Sequence, residues 1–350
     1  MSSTSSHERL LTIVIPTFNR DRFLHRLLES IAPELRKYAD AVEVLIVDDG
    51  STDNTPEVIA QFVGGPHPFR SIRNSKNLGL DGNLHHSFMQ ATTEYVWIFG
   101  DDDVMLEGAL EKLIPLLTCH RVSFAYIGGY AFKGEFVHRD YFFQNMGPTR
   151  LTDPDDVIKT GHCLLSFITR GIMNKKAILE SQPGATFDQY FGSIINQMGF
   201  VFGALKTNLP CLIISESMIA SQLNNSGGYA ACSSFGPVFQ KIAKAEFPNR
   251  PWVADVIAAG VLESYFPNHL YIQRGLHSYN EEDCTKVLIP AFRNNYRFWL
   301  YCYPISVLPK FLAGIYCIAV RILLKTKRTI RSGWWYIKYW NREISIRDER

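Results

Sequence analysis

Thr12–Pro16, TIVIP, is a short run of apolar, mostly β-branched residues, and the proline that closes it fits the end of a buried strand. The period then changes. From Arg20 onward Phe23, Leu24, Leu27, Leu28 and Ile31 recur three and four residues apart, one apolar face of a helix, with Asn19 placed as its N-cap. The same strand, loop and helix follow again: VEVLIV at Val42–Val47, DDGSTDN at Asp48–Asn54, and a helix over Thr55–Val63 with Pro56 at its start. Arg70–Arg73 reads as a short third strand, NLGLDGN at Asn77–Asn83 as a loop, Leu84–Ala91 as a helix, and YVWIF at Tyr95–Phe99 as a fourth strand running straight into Asp101. Strands alternating with helices in this way predict an α/β fold with a doubly wound, mostly parallel sheet covered by helices on both faces.

Such sheets bind ligands beyond the carboxyl ends of their strands, where successive loops converge. The loops after the first, second and fourth strands hold Thr17-Phe18-Asn19-Arg20, Asp48-Asp49 and Asp101-Asp102-Asp103. Three polar clusters are therefore expected at one crevice.

Consecutive carboxylates repel one another, and nothing in strand stability calls for three of them directly after YVWIF. A hard divalent cation, Mg²⁺ or Mn²⁺, would resolve the repulsion, since such ions take one or two carboxylates together with substrate phosphates. The structural alternative is a solvated turn capping a helix over Leu106–Leu117. Asp48 and Asp49 suit another task, accepting a hydrogen bond from the N3–H of uracil or thymine or from the amino group of cytosine. Thr17, Asn19 and Arg20 can bring hydroxyl, amide and guanidinium groups to a nucleotide, although Asn19 can equally be a cap and Arg20 a solvated helix start.

At these positions the chain resembles the GT-A-fold family-2 glycosyltransferases. The residues that carry the resemblance are IVIPTFNR at Ile13–Arg20, VDDGSTD at Val47–Asp53, NLG at Asn77–Gly79 and the acids after YVWIF. The resemblance implies a GT-A fold, a nucleoside-diphosphate sugar donor, Mn²⁺ or Mg²⁺, and inversion at the anomeric carbon. Position by position it implies that Pro16 and Thr17 line the nucleotide pocket and Asp49 contacts the base, with Asn19, Arg20, Asp48 and Asn77 as further candidates for binding the nucleotide sugar. It places Asp101 near the ribose or as a second metal contact, and Asp102 on the metal. Many members have Asp-x-Asp-Asp, whereas here Gly100 takes the first position. WIFGDDD is similar to the abequosyltransferase-like branch of bacterial surface-polysaccharide enzymes, which suggests a deoxyhexose donor.

Single-displacement transfer needs a carboxylate to remove the acceptor hydroxyl proton. The matching region of the family is ATFDQYFG, Ala185–Gly192, in which Asp188 is the only acid. Its structural alternative is an N-cap ahead of a helix bearing Phe191, Ile194 and Ile195. His162 and Asn196 are further candidates for sugar contacts, and ISESMIASQLNNSGGY, Ile214–Tyr229, for a loop that closes over substrate.

The expected division is a GT-A domain over residues 1–245, with a nucleotide-binding half at 10–130 and an acceptor half at 131–245, then a helical, basic and aromatic C-terminal extension at 246–350. Residues 321–350 carry nine Lys/Arg against three acids, a net of +6, interleaved with Trp334, Trp335, Tyr336, Tyr339 and Trp340. Basic side chains attract anionic headgroups and Trp and Tyr settle at the membrane interface, so this segment is expected to anchor the chain on a membrane surface. That suits a lipid-linked glycan acceptor such as an O-antigen intermediate. Phe298–Leu324 is apolar but broken by Pro304 and Pro309, which argues against a full span.

The whole chain, 350 residues with 46% hydrophobic and 20% charged, is that of a globular protein, and a net charge of +2 supplies no general field for nucleic acid. Seven cysteines without a C-x-x-C pair favour a reducing compartment. Ser-rich Met1–Arg9 and the short apolar run Leu10–Pro16 do not make a signal peptide, which places the catalytic part in the cytoplasm, peripheral to the inner membrane. Two other classes compete: a nucleotidyltransferase acting on sugar phosphates, for which IPTFNR lacks the glycine-rich phosphate loop, and a non-catalytic sugar-nucleotide-binding protein, which would have no need of the metal acids.

Overall fold

Seven β-branched or leucine-rich residues in a row need cover on both sides, and β1 (Leu11–Thr17) and β2 (Val42–Asp48) have it, every residue but Pro16 being buried. The computed structural model describes residues 9–136, 146–223, 230–274 and 282–339, without the side chains of 328–339. It divides into two compact units, one of residues 1–154, 167–192 and 196–225, the other of residues 155–166, 193–195 and 226–350.

The first unit is a mixed sheet of nine strands in the order β3-β2-β1-β4-β8-β6-β9-β5, with β7 paired to β9. Its parallel part comprises β1, β2, β3 (Phe69–Arg73) and β4 (Tyr95–Ile98). Between them run α1 (Asp21–Tyr38), α2 (Thr55–Phe62) and α3 (Gly79–Gln90). After β4 come β5 (Val104–Met105), α4 (Ala109–Cys119), β6 (Phe124–Phe132), β7 (Arg150–Thr152), α5 (Pro154–Gly161), β8 (Gly171–Asn174), α6 (Lys175–Ser181), α7 (Met198–Leu205) and β9 (Cys211–Gln222). Here the sheet departs from uniform parallel winding: β8 pairs antiparallel with β4 and β6, β5 antiparallel with β9, and β6 parallel with β9. The GT-A architecture stands, with an all-parallel part over β1 to β4 and one further parallel pair between β6 and β9.

Local readings differ in four places. Asn19 does not cap α1; its φ of 54° turns the chain, and Arg20 occupies the cap position. Helix α3 starts at Gly79, so most of the expected NLGLDGN loop is its first turn. Helix α4 begins at Ala109, because Val104 and Met105 are drawn into the sheet against Ala220 and Ile219. No helix starts at Asp188; helix resumes at Met198, and Ile194 carries a positive φ of 59° that a helix would not allow. ISESMIASQ of the expected closing loop is strand β9, and Asn224–Tyr229 lie outside the described residues.

The second unit is helical: α8 (Ala231–Ser233), α9 (Phe239–Glu246), α10 (Trp252–Gly260), α11 (Phe266–Gln273), α12 (Cys284–Phe292), α13 (Tyr303–Val307) and α14 (Lys310–Tyr339), with α5. Cys232 and Cys284 are joined by a disulfide, which a reducing compartment would not have led one to expect, while Cys119, Cys163, Cys211, Cys302 and Cys317 form no disulfide. No described helix is long and apolar enough to cross a membrane. Trp340 and the residues after it lie outside the described chain, as do the side chains of Trp334, Trp335, Tyr336 and Tyr339.

Strand β6 reaches β9 through a register shift on either side of Gly128. A Cβ there would stand 2.5 Å from Glu216 O and 2.6 Å from Ser215 O, both backbone atoms that cannot swing away. Gly128→Ala is therefore expected to cost about 1–3 kcal/mol, as overpacking does. Urea unfolding measures this, and an unchanged midpoint would show that the bulge can open freely.

Candidate active site

Register brings the polar loops level. Thr17 lies opposite Asp48, Asp48 opposite Arg73, and Val14 opposite Ile98, so the loops after β1, β2, β3 and β4 leave the sheet side by side. Two of them are laced together at once. Asn19 N donates to Ser51 Oγ at 2.9 Å, Thr52 N to Asn19 Oδ1 at 2.8 Å, and Arg20 N to Thr55 Oγ1 at 3.1 Å. The left-handed turn at Asn19 thus serves the second loop rather than the helix that follows it.

Asp48 and Asp49 are each 2% exposed and both are engaged within the protein. Asp48 accepts from Ser51 N at 2.9 Å and pairs with Arg73 at 3.1 Å. Asp49 accepts from Asn74 Nδ2 at 2.8 Å, Leu78 N at 2.9 Å and Gly79 N at 3.0 Å. The second of these acids therefore fastens the start of α3, and Asn77 Oδ1 shares the Gly79 N–H at 2.7 Å. VDDG and NLG, distant in sequence, form one hydrogen-bonded wall.

The three acids after β4 have three different surroundings. Thr17 Oγ1 donates to Asp101 Oδ2 at 2.9 Å, and the Arg20 charge favours the ionised form. Asp102 is part-exposed, and its carbonyl accepts from Arg26 Nη2 at 2.6 Å. Asp103 turns inward, 7% exposed, and accepts from Thr169 Oγ1 at 2.5 Å and from Gln222 N at 3.1 Å. It caps no helix; it ties the acidic turn to β9 and to the segment before β8. Gly100 is accounted for as well. A Cβ at this position would lie 3.2 Å from Asp102 Oδ1, 3.3 Å from Thr169 Oγ1 and 3.4 Å from Asp103 Oδ2, so the close approach of these groups favours glycine.

Burial, followed by the charge of Asp102, pushes Asp101 up to about 7 and Asp103 up to about 8. Asp101 and Asp102, the two part-exposed residues of the three, carry oxygen donors of the kind a hard divalent cation takes.

Asp188 lies on the exposed segment that precedes α7, where the Thr186 hydroxyl donates to its carboxylate. The segment is moored to α3: His85 Nε2 donates to Thr186 O at 2.6 Å and Gly192 N to Asp81 Oδ2 at 2.6 Å. Between them opens a cleft of about 400 Å³ lined by Leu78, Gly82, His85, His86, Met89 and Phe191. Asn196 is fully buried, its Nδ2 bonded to Asp81 O at 2.9 Å. His162 belongs to the helical unit, where it accepts from Cys163 N and packs on Gly260. Arg26 reads in the sequence as one more polar position on α1, and Thr169 and Gln222 lie too far along the chain for any local pattern to tie them to the acids.

Residues 12–171 match the model of the family described as glycosyl transferase family 2. The chain is 39% identical over 105 residues to abequosyltransferase RfbV of Salmonella typhimurium, 30% of this chain and 31% of that protein. It is 31% identical over 105 residues to a Campylobacter jejuni GalNAc(5)-diNAcBac-PP-undecaprenol β-1,3-glucosyltransferase, 33% of whose length it matches. The chain thus spans about a third of the length of these two relatives. A longer match, 34% identical over 242 residues, covers 67% of this chain and 72% of the poly(ribitol-phosphate) β-N-acetylglucosaminyltransferase TarP of Staphylococcus aureus. Among solved structures, S. aureus TarS 1–349 shares the fold with a TM-score of 0.56 and 16% identity, over 93% of this chain and 92% of that one. With a GT-A sheet whose loop residues carry the family's motifs, and with the long TarP match, this chain belongs to glycosyl transferase family 2.

Proposed function

We propose that the chain transfers a sugar from a nucleoside diphosphate, with inversion, to a hydroxyl of a lipid-linked bacterial surface glycan. The observation that carries this is the unequal treatment of the three acids: Asp103 is consumed by the fold while Asp101 and Asp102 remain part-exposed beside Thr17 and Arg20. Relatives named as abequosyl-, glucosyl- and N-acetylglucosaminyltransferases support sugar transfer, and the match to the abequosyltransferase favours a deoxyhexose as the sugar. The undecaprenol in one of those names supports a lipid carrier on the acceptor.

In this reading Asp102, with Asp101, would hold Mn²⁺ or Mg²⁺, which would supply Lewis-acid stabilisation of the charge gathering on the departing diphosphate. Thr17 orients Asp101, and Arg20 adds a positive charge beside it. The nucleoside is received by the wall that Asp49 holds together, with Pro16, Asn19, Asp48 and Asn77 shaping it. Asp188 takes the proton of the acceptor hydroxyl while that oxygen bonds to the anomeric carbon on the face opposite the leaving diphosphate, which departs with the bonding electron pair. Asp102→Asn is expected to lower metal-dependent turnover roughly a thousandfold, equivalent to about 4 kcal/mol of transition-state stabilisation, with the fold intact by circular dichroism. Asp188→Asn should lose turnover to a similar degree yet keep nucleotide affinity. Near-normal kcat in either variant removes that residue from the role.

A proton on Asp101 excludes the cation. Because the folded protein holds these acids above the ordinary carboxylate value, the metal-free fold gains from their protonation at low pH and loses that gain as pH rises through about 7 to 8. A cation supplies the missing charge in the same range. The rise in Tm on adding Mn²⁺ should therefore be larger near pH 8 than near pH 6, and a rise independent of pH would place the cation elsewhere.

The acceptor's lipid requires a membrane surface, and α14 supplies an apolar face for one. Ala313, Cys317, Val320 and Leu324 are buried on the helical unit, while Phe311 (77% exposed), Leu312, Ile315, Ile318 (58%), Ile322 (62%) and Leu323 stand open. From Lys310 to Tyr339 there is no acid, and Lys310, Arg321 and Lys325 flank the open face, while Lys327 pairs with Glu263 at 2.7 Å. Two copies meeting on it would bring like charges together, whereas anionic headgroups would be attracted. The protein is expected to float with vesicles containing phosphatidylglycerol and to stay behind with pure phosphatidylcholine. A variant with Phe311→Ser, Ile315→Ser and Ile322→Ser should lose flotation without losing its fold. If that variant still floats, or if the change converts an oligomer into a monomer in the absence of lipid, the membrane is not the partner of this face.

A further inference from the structure

A second set of metal-ligating atoms lies in the helical unit. Cys232, His269 and Cys284 each offer one donor, and the three atoms lie within 4.8 Å of one another. They come from α8, α11 and α12, so a shared ligand would join three separate elements. Cys284 is the first residue of α12, capped by the Asp283 side chain on Lys286 N, where the N-terminal end of a nine-residue helix favours a thiolate. Glu282 orders the approach, accepting from Cys232 N at 2.9 Å and Ser233 N at 2.8 Å.

The two sulfurs are bonded to one another, closing a 52-residue separation between cores that bury Cys232 completely and Cys284 almost so. A disulfide requires two sulfurs and nothing else. Here an imidazole and an amide oxygen are brought to the same spot. His269 stacks on Tyr265 with ring centroids 5.1 Å apart, and Gln273 Oε1 stands 2.8 Å from Cys284 Sγ. Burial holds the His269 imidazolium below its ordinary value, with Glu282 opposing. Two thiolates, one imidazole and one oxygen are a donor set of the borderline kind that Zn²⁺ prefers.

We propose that Cys232, Cys284 and His269, with Gln273 at the fourth position, form a Zn²⁺ site once the bond between the two sulfurs is reduced. A dithiol reductant gives two electrons and two protons to the S–S bond and leaves as its own disulfide; metal binding then releases the two thiol protons to solvent. The tie between α8 and α12 is thereby kept in either redox state, with α11 added to it when the metal binds, including in compartments where disulfides do not persist.

The test uses the full-length protein, reduced with an excess of dithiol and freed of it under anaerobic conditions, then titrated with Zn²⁺ or Co²⁺ alone. One equivalent of Zn²⁺ is expected per chain, in competition with a colorimetric chelator. Co²⁺ should give the thiolate charge-transfer and tetrahedral d–d bands. The oxidised protein should bind neither. His269→Ala leaves both sulfurs in place and should weaken Zn²⁺ by at least about 100-fold, since even outer partners of metal ligands contribute 10–100-fold. Cys232→Ser should lower the charge-transfer band by at least about half, one of two thiolates being lost. A reduced protein that keeps its helical circular dichroism but takes up no stoichiometric metal would overturn the proposal and leave a structural disulfide. So would a His269→Ala variant that binds as tightly as its parent.

Discussion

Three ionised carboxylates on consecutive residues repel, and the site depends on how that repulsion is distributed. The chain neutralises one of them with its own backbone and hydroxyls, Asp103 being held by Gln222 N and Thr169. Two guanidiniums stand near the others, Arg26 on the carbonyl of Asp102 and Arg20 within electrostatic reach of Asp101. What is left over is a local excess of negative charge at the ends of β1 and β4. A surface salt bridge could discharge it at little gain; leaving it part-exposed keeps it available to the cation proposed above.

Much of this was legible in the sequence because it is local. A buried parallel strand writes itself as an unbroken apolar run, and VEVLIV and YVWIF became β2 and β4 within a residue or so. Where reading failed, a distant partner had overruled a local preference. Val104 and Met105 look like a helix approach until β9 pairs with them, and Asn19 looks like a cap until Thr52 claims its side chain. Asp103 looked like a helix start for the same reason. Thr169 and Gln222 have no signal in sequence, since neither motif nor period links them to residue 103.

The helical unit was legible only in outline. Hydrophobic spacing identifies α10 and warns that Pro304 and Pro309 interrupt the later segment, which the break between α13 and α14 bears out. Spacing cannot say that α14 carries two apolar faces, because a helix apolar on most sides reads as a core helix until its neighbours are known. Nor can a count of cysteines pair Cys232 with Cys284 across 52 residues.

The grip on Asp103 also sets an order of assembly. Its partner Gln222 lies 119 residues further along, at the end of β9, and Thr169 lies 66 residues along. A chain emerging from the ribosome can pair β1, β2 and β4 long before either partner exists. During that interval Thr17 and Arg26 can already hold Asp101 and Asp102, while Asp103 lacks both of its restraints. Residues 10–130 alone are therefore a poor unit to express or graft, although they hold most of the family's motifs. Competence at the acidic turn arrives late in synthesis, with the strand that closes the far side of the sheet.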